Sequence, residues 1–138
     1  MRDVRPTVNT RFHIDFSWWD RQNKDIRVFM RDMLCAECRD AVGSLSDTRV
    51  VDMIDPETAE VTEVGAIWEC IRACCRTKPE YITADTPILD GIFRTFLANG
   101  NKSLSVLELY ERLGKGPPEM ILRMLTKGRI YMGIKPAR

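Results

Sequence analysis

The sequence predicts an α+β protein: a small β-sheet with two helices and a four-cysteine metal site, then a three-helix unit. Three observations carry this expectation. Apolar spacing switches from a period of two over 11–19 to a helical period from residue 24 onward. Four of the five cysteines fall at ligand-compatible spacing in two clusters, Cys35-Ala36-Glu37-Cys38 and Cys70-Ile71-Arg72-Ala73-Cys74-Cys75. The last third is dense in helix-start and helix-stop residues. The 138 residues accordingly divide into a metal-binding unit over 1–80 and a helical unit over 84–138.

The elements follow in order. Phe12, Ile14, Phe16 and Trp18 alternate with Arg11, His13, Asp15 and Ser17, which is the pattern of a half-buried strand. Trp18 and Trp19 would then place one indole on each face. After a polar turn over 20–23, Ile26, Phe29, Met30, Met33 and Leu34 recur at helical spacing. That helix would deliver Cys35 from its last turn. A loop is expected over 43–47, a β-branched strand over 49–54, a turn over 55–60 and a returning strand over 61–64. A helix over 65–77 would set Ile67, Cys70, Ile71 and Cys74 on one face, stopped by Lys78-Pro79.

Composition narrows the class. With 44% hydrophobic and 30% charged residues the chain can bury a core. No apolar run approaches the roughly 18–20 residues of a membrane span. Residues 1–6 lead into no apolar stretch of a secretory signal, so the expected location is cytoplasmic. The net charge of +1 hides a split: residues 1–84 carry 12 basic and 15 acidic side chains, residues 85–138 nine and five. The acidic run Asp52, Asp55, Glu57, Glu60 and Glu63 makes the front a poor surface for nucleic acid.

In the last third, Thr86-Pro87 opens a helix carrying Ile88, Leu89, Ile92, Phe93, Phe96 and Leu97, closed by Asn99-Gly100. Lys102-Ser103-Leu104 fits a short strand. Ser105 and Glu108 form a capping box for a helix reaching Gly114. Pro117-Pro118 opens a third helix with Ile121, Leu122 and Leu125 inward, and residues 129–134 alternate as a terminal strand. This order of elements over about 85–136 resembles a winged helix-turn-helix, with the sequence stopping after one wing strand. The resemblance implies that the helix from Pro118 enters the major groove of double-stranded DNA. Lys115, Arg123, Lys127 and Arg129 would then contact the nucleic acid, with Glu119 opposing phosphate at the leading turn. In its protein-binding form the same fold would be an interaction module of a larger complex.

The cysteines suggest a thiolate metal site. Zn–S bonds near ~2.3 Å in a tetrahedron bring neighbouring sulfurs within about 3.7 Å. Cys35 and Cys38 are close in sequence, and Cys70 and Cys74 lie about 40° apart on a helix. Cys75 is rotated about 140° from Cys70, which leaves it as the spare, able to replace Cys74 only if the helix has already unwound. The expected ligands are therefore Cys35, Cys38, Cys70 and Cys74, the expected metal zinc, with an iron–sulfur cluster as the alternative. Arg39, Arg72 and Arg76 would offset the charge of the thiolates. A redox CxxC needs its first cysteine at a helix start, whereas Cys35 is expected at a helix end. Disulfides are disfavoured in the cytoplasm. His13 is the only histidine and has no nucleophile or carboxylate tied to it by motif, so no enzyme is expected. The sequence thus suggests a small metal-binding transcriptional regulator.

Overall fold

A computed structural model of the chain describes residues 5–42, 50–54 and 58–137. In chain order the elements are β1 (Arg11–Ile14), α1 (Phe16–Arg21), α2 (Ile26–Asp32), α3 (Ala36–Val42), β2 (Val50–Ile54), β3 (Val61–Gly65), α4 (Ala66–Ala73), a 3-10 turn (Cys75–Thr77), α5 (Ile88–Ala98), β4 (Leu104–Ser105), α6 (Val106–Leu113), α7 (Pro118–Thr126) and β5 (Ile134–Pro136). The class is α+β, as the sequence predicts.

β1 runs between two strands from the far end of the chain, in the antiparallel order β4-β1-β5. Phe12 faces Leu104 on one side and Pro136 on the other, and Ile14 pairs with Ile134. Past the end of β4 the side-chain amide of Asn101 continues the ladder. It accepts from the Ile14 N–H and donates to the Ile14 carbonyl, both at 2.8 Å. Phe12, Ile14, Leu104 and Ile134 are buried in one hydrophobic cluster with Met30, Ile67 and Ile71 from the front and Ile92, Phe93, Phe96 and Leu97 from α5. The stretches 1–80 and 84–138 therefore share both a sheet and a core.

β1 is shorter than the alternation over 11–19 suggests. Asp15 ends it: its carboxylate accepts from the Ser17 N–H at 3.0 Å and the Ser17 hydroxyl at 2.6 Å, capping α1. The two indoles therefore lie on a helix rather than on opposite faces of a strand. Trp19 is buried and donates from Nε1 to the Met132 carbonyl at 3.0 Å, and Trp18 packs edge-on against it. The positive φ of Gly133 makes this contact fit. A Cβ there would sit 2.9 Å from the Asp15 carbonyl oxygen and 3.1 Å from Trp19 Nε1.

The other boundary corrections have local causes. The helix expected over 24–35 is two helices, α2 capped by Asp25 and α3 starting at Ala36. The terminal strand lies at Ile134–Pro136 rather than 129–134, because Met132 and Gly133 take positive φ and turn the chain. α5 starts at Ile88, one residue later than expected, with Pro87 in the capping position. The capping box of Ser105 and Glu108 is present, and Gly114 ends α6 in the left-handed conformation. β2 and β3 form a separate hairpin, pairing from Val50 with Gly65 to Ile54 with Val61. The expected loop over 43–47, Arg49 and the start of the 55–60 turn lie outside the described residues. Among the described residues no helix is long and apolar enough to cross a membrane.

Candidate metal centre

Two segments bring the thiols together. On the first, α2 stops at Asp32 and the chain re-enters a helix at Ala36, so Cys35 stands just ahead of α3 and its carbonyl accepts the Arg39 N–H at 3.0 Å. Cys38 is one turn into α3 and buried. On the second, α4 ends at Ala73. The Thr77 N–H and hydroxyl both bond the Cys74 carbonyl, and the Lys78 N–H bonds the Cys75 carbonyl. These i to i−3 bonds tighten the chain into a 3-10 turn. Pro79 has no N–H to give an α-helical bond to Cys75, which accounts for the change of winding.

The unwinding decides which sulfurs converge. Cys35, Cys38 and Cys74 have their sulfurs within 4.8 Å of one another. Cys35 Sγ lies 3.8 Å from Cys74 Sγ, close to the edge of a tetrahedral zinc thiolate site. Cys75 is inside the same nest. Its sulfur is 3.5 Å from Cys35 Sγ and accepts the Cys35 N–H at 3.3 Å. Cys70 is half-buried against the core and stands outside the three-sulfur group; its carbonyl accepts from Cys38 Sγ at 3.8 Å. The helical arithmetic that favours Cys70 over Cys75 requires the helix to continue past Cys74, and it does not.

The electrostatics of the nest are unequal. Burial works against ionisation of Cys35, but the Cys38 N–H and the thiols of Cys75, Cys38 and Cys74 directed at it outweigh burial and hold its pKa below the ordinary thiol value. Burial pushes Cys38 well up, with the surrounding thiols adding to it. Cys74 is raised chiefly by the Cys35 thiol beside it, and Cys75 chiefly by burial. Cys35 is thus the thiol of the nest most disposed to ionise. Ionisation of the other three would be favoured by positive charge, which a divalent metal would supply.

The expected counter-charges are otherwise engaged. Arg72 is paired with Glu69 at 2.6 Å, Arg39 donates to the Asp32 carbonyl and Arg76 to the Arg72 carbonyl. The cation that does act here is Lys78, which holds Glu37 at 2.8 Å and whose pKa is raised by Glu37 first and also by Cys74 and Cys35. Lys78 joins the end of the second segment to α3. From sequence, Lys78 has no assigned role and Cys75 enters only if the helix has unwound, an unwinding that Pro79 signals.

The arrangement can hold a thiophilic metal. Placing Cys35 ahead of α3 also puts the CxxC at a helix start, so the position expected from sequence, at a helix end, does not apply. Cys35 and Cys75 are near enough to close a disulfide when an oxidant takes up their two electrons and two protons.

The residues expected at a nucleic-acid surface are dispersed. The Lys115 ammonium is spent inside the fold, donating to the carbonyls of Thr83, Ala84 and Thr86 ahead of α5. Arg123 is exposed on α7, Lys127 is exposed at its end, and Arg129 follows in the exposed loop toward β5. His13 lies on β1 opposite Lys135. Compared with protein-family models, curated proteins and solved structures, the chain finds no match.

Proposed function

We propose that this chain is a non-enzymatic cytoplasmic DNA-binding regulator whose front half is stapled by a zinc ion. The observation that supports the metal is the convergence of Cys35, Cys38 and Cys74 within 4.8 Å from two separate segments. The metal crosslinks α3 to the end of α4 and supplies the charge that lets neighbouring thiols ionise. The role is structural, since a site closed by four sulfurs leaves no position for substrate. An iron–sulfur cluster is the alternative cargo of the same ligands.

The DNA-binding part rests on the tail. Its elements run helix, short strand, helix, helix, strand, and Arg123, Lys127 and Arg129 leave exposed cations on and after α7. With Lys115 withdrawn into the fold, phosphate contact falls to these three. Glu119, exposed in the first turn of α7, favours the second reading, a module that docks on a protein.

Elemental analysis of protein purified without added metal tests the first part. One zinc per chain is expected, lost in Cys35→Ser and Cys74→Ser. Comparing Cys70→Ser with Cys75→Ser identifies the fourth ligand, with Cys75→Ser expected to lose more metal. A visible absorption band in anaerobically prepared protein would replace zinc by iron–sulfur. For the second part, affinity for duplex DNA should fall steeply with salt and be abolished in the Arg123→Ala/Lys127→Ala double variant. No affinity at low salt rejects DNA and leaves the protein-docking module.

A further inference from the structure

Away from the thiols, α1, α2, α5 and the loop before β5 enclose an open cleft of about 1000 Å³. Its walls are aromatic and its charges are uneven. Trp18, Phe29 and Tyr131 line it, Trp18 being half-buried and Phe29 38% exposed. Lys24, Arg94 and Arg129 also face it.

These three cations differ from most of those on the front half and the sheet. Arg21, Arg27, Arg72, Lys78 and Lys135 each have a carboxylate partner within salt-bridge distance. Among the described residues, Lys24, Arg94 and Arg129 have none. Two acids share the cleft, and one is already engaged: Asp90 accepts the Tyr131 hydroxyl at 2.9 Å. With Asp32 the cleft carries two carboxylates against three cations, a balance of one positive charge.

Two of the cations are held in place without being neutralised. Arg94 donates from Nη1 to the Tyr81 carbonyl at 2.6 Å and lies against the Tyr81 ring, while its Nε is enclosed with no hydrogen-bond partner. The Lys24 ammonium lies 5.5 Å from the centre of the Trp18 ring. Lys24 held on an aromatic surface, with Arg129 lining the same cleft and neither paired with a carboxylate, suits an anion attached to a flat ring. The ring would stack on Trp18 or Phe29, and the anion would meet Lys24 and Arg129.

We infer that this cleft binds a small planar aromatic anion, and that Lys24 and Arg129 hold its negative group while Trp18 and Phe29 hold its ring. Two kinds of molecule share that chemistry, a nucleoside monophosphate and an aromatic carboxylate. The site needs neither the metal nor duplex DNA.

Tryptophan fluorescence of the full chain, titrated separately with adenosine 5′-monophosphate and with benzoate, tests it. Saturable quenching by either probe is expected, and the probe that saturates at lower concentration identifies the source of the anion. Lys24→Glu and Arg129→Glu should each weaken binding about tenfold or more. Phe29→Ala should weaken it less, and Arg123→Ala, outside the cleft, should leave it unchanged. Lys24 and Arg129 are exposed, so circular dichroism should show the charge variants folded. The inference is overturned if neither probe saturates below about 10 mM, a limit near the weak end of specific affinity. Binding indifferent to both charge reversals overturns it equally. The Arg123→Ala/Lys127→Ala variant should lose DNA affinity with cleft binding intact, whereas Arg129→Glu, at a residue shared with the proposed DNA surface, should weaken both. Loss of cleft binding in the double variant overturns the inference.

Discussion

The thiol nest and the three-stranded sheet join distant parts of the chain by opposite means. In the sheet, backbone ladders pair β1 with β4 and β5, and Phe12, Ile14 and Ile134 are almost wholly enclosed. The Asn101 amide satisfies both backbone groups of Ile14. Nothing further is needed to hold that arrangement. In the nest, α3 and the end of α4 meet through sulfurs of which only Cys35 is disposed to ionise. The sheet is held by neutral contacts, whereas the nest gathers thiols that could hold a cation.

Chelation is the largest perturbation of that contrast. Structural zinc contributes on the order of 10 kcal/mol of apparent binding energy in small domains. On the proposed zinc reading, chelation should lower the melting temperature strongly and expose amides of α3 and α4 to hydrogen exchange, with those of α5 and β1 staying protected. Equal loss of protection in both regions would break the comparison. Gly133→Ala strikes the sheet instead. Its left-handed backbone alone costs about 1–2 kcal/mol for alanine, and the new Cβ meets the Asp15 carbonyl oxygen and the Trp19 indole. Thermal melts should show destabilisation by at least that amount, with metal content unchanged.

Acid provides the smallest and most selective test. The Ser17 hydroxyl, then Lys135 and Arg21, hold the Asp15 carboxyl far below its ordinary pKa of 3.8. A carboxyl depressed in the folded state adds stability that is complete above its unfolded pKa and is lost as pH falls through the folded one. Stability should therefore be level in this respect near neutrality and decline progressively below about pH 4. Asp15→Asn should be less stable at pH 7 and show a shallower decline in acid, measured by denaturant unfolding across pH. An unchanged acid profile would mean that Asp15 does not fasten β1 to β5.

The same contrast explains what could be read in advance. The tail elements were legible because their boundaries are written in local chemistry: Ser105 with Glu108, Gly114, and Pro118 at a helix start. The pairing of β1 between β4 and β5 was not, because alternation reveals a strand's faces and not its neighbours. The alternation of Phe16 and Trp18 misleads because Asp15 caps a helix there. For the nest, the two clusters and three of the converging sulfurs followed from spacing. Cys70 stands outside that three-sulfur group and Cys75 beside it because the expected continuous helix over 65–77 gives way to a 3-10 turn ahead of Pro79.

β1 occupies the middle of its sheet, and both of its partners belong to the last third of the chain. During synthesis it therefore has no edge to join until β4 and β5 have cleared the ribosome. Pairing β1 with β4 and β5 closes long loops and follows the synthesis of both partners. Until then Phe12 and Ile14 are uncovered apolar groups on a nascent chain, which makes them natural ground for chaperone capture.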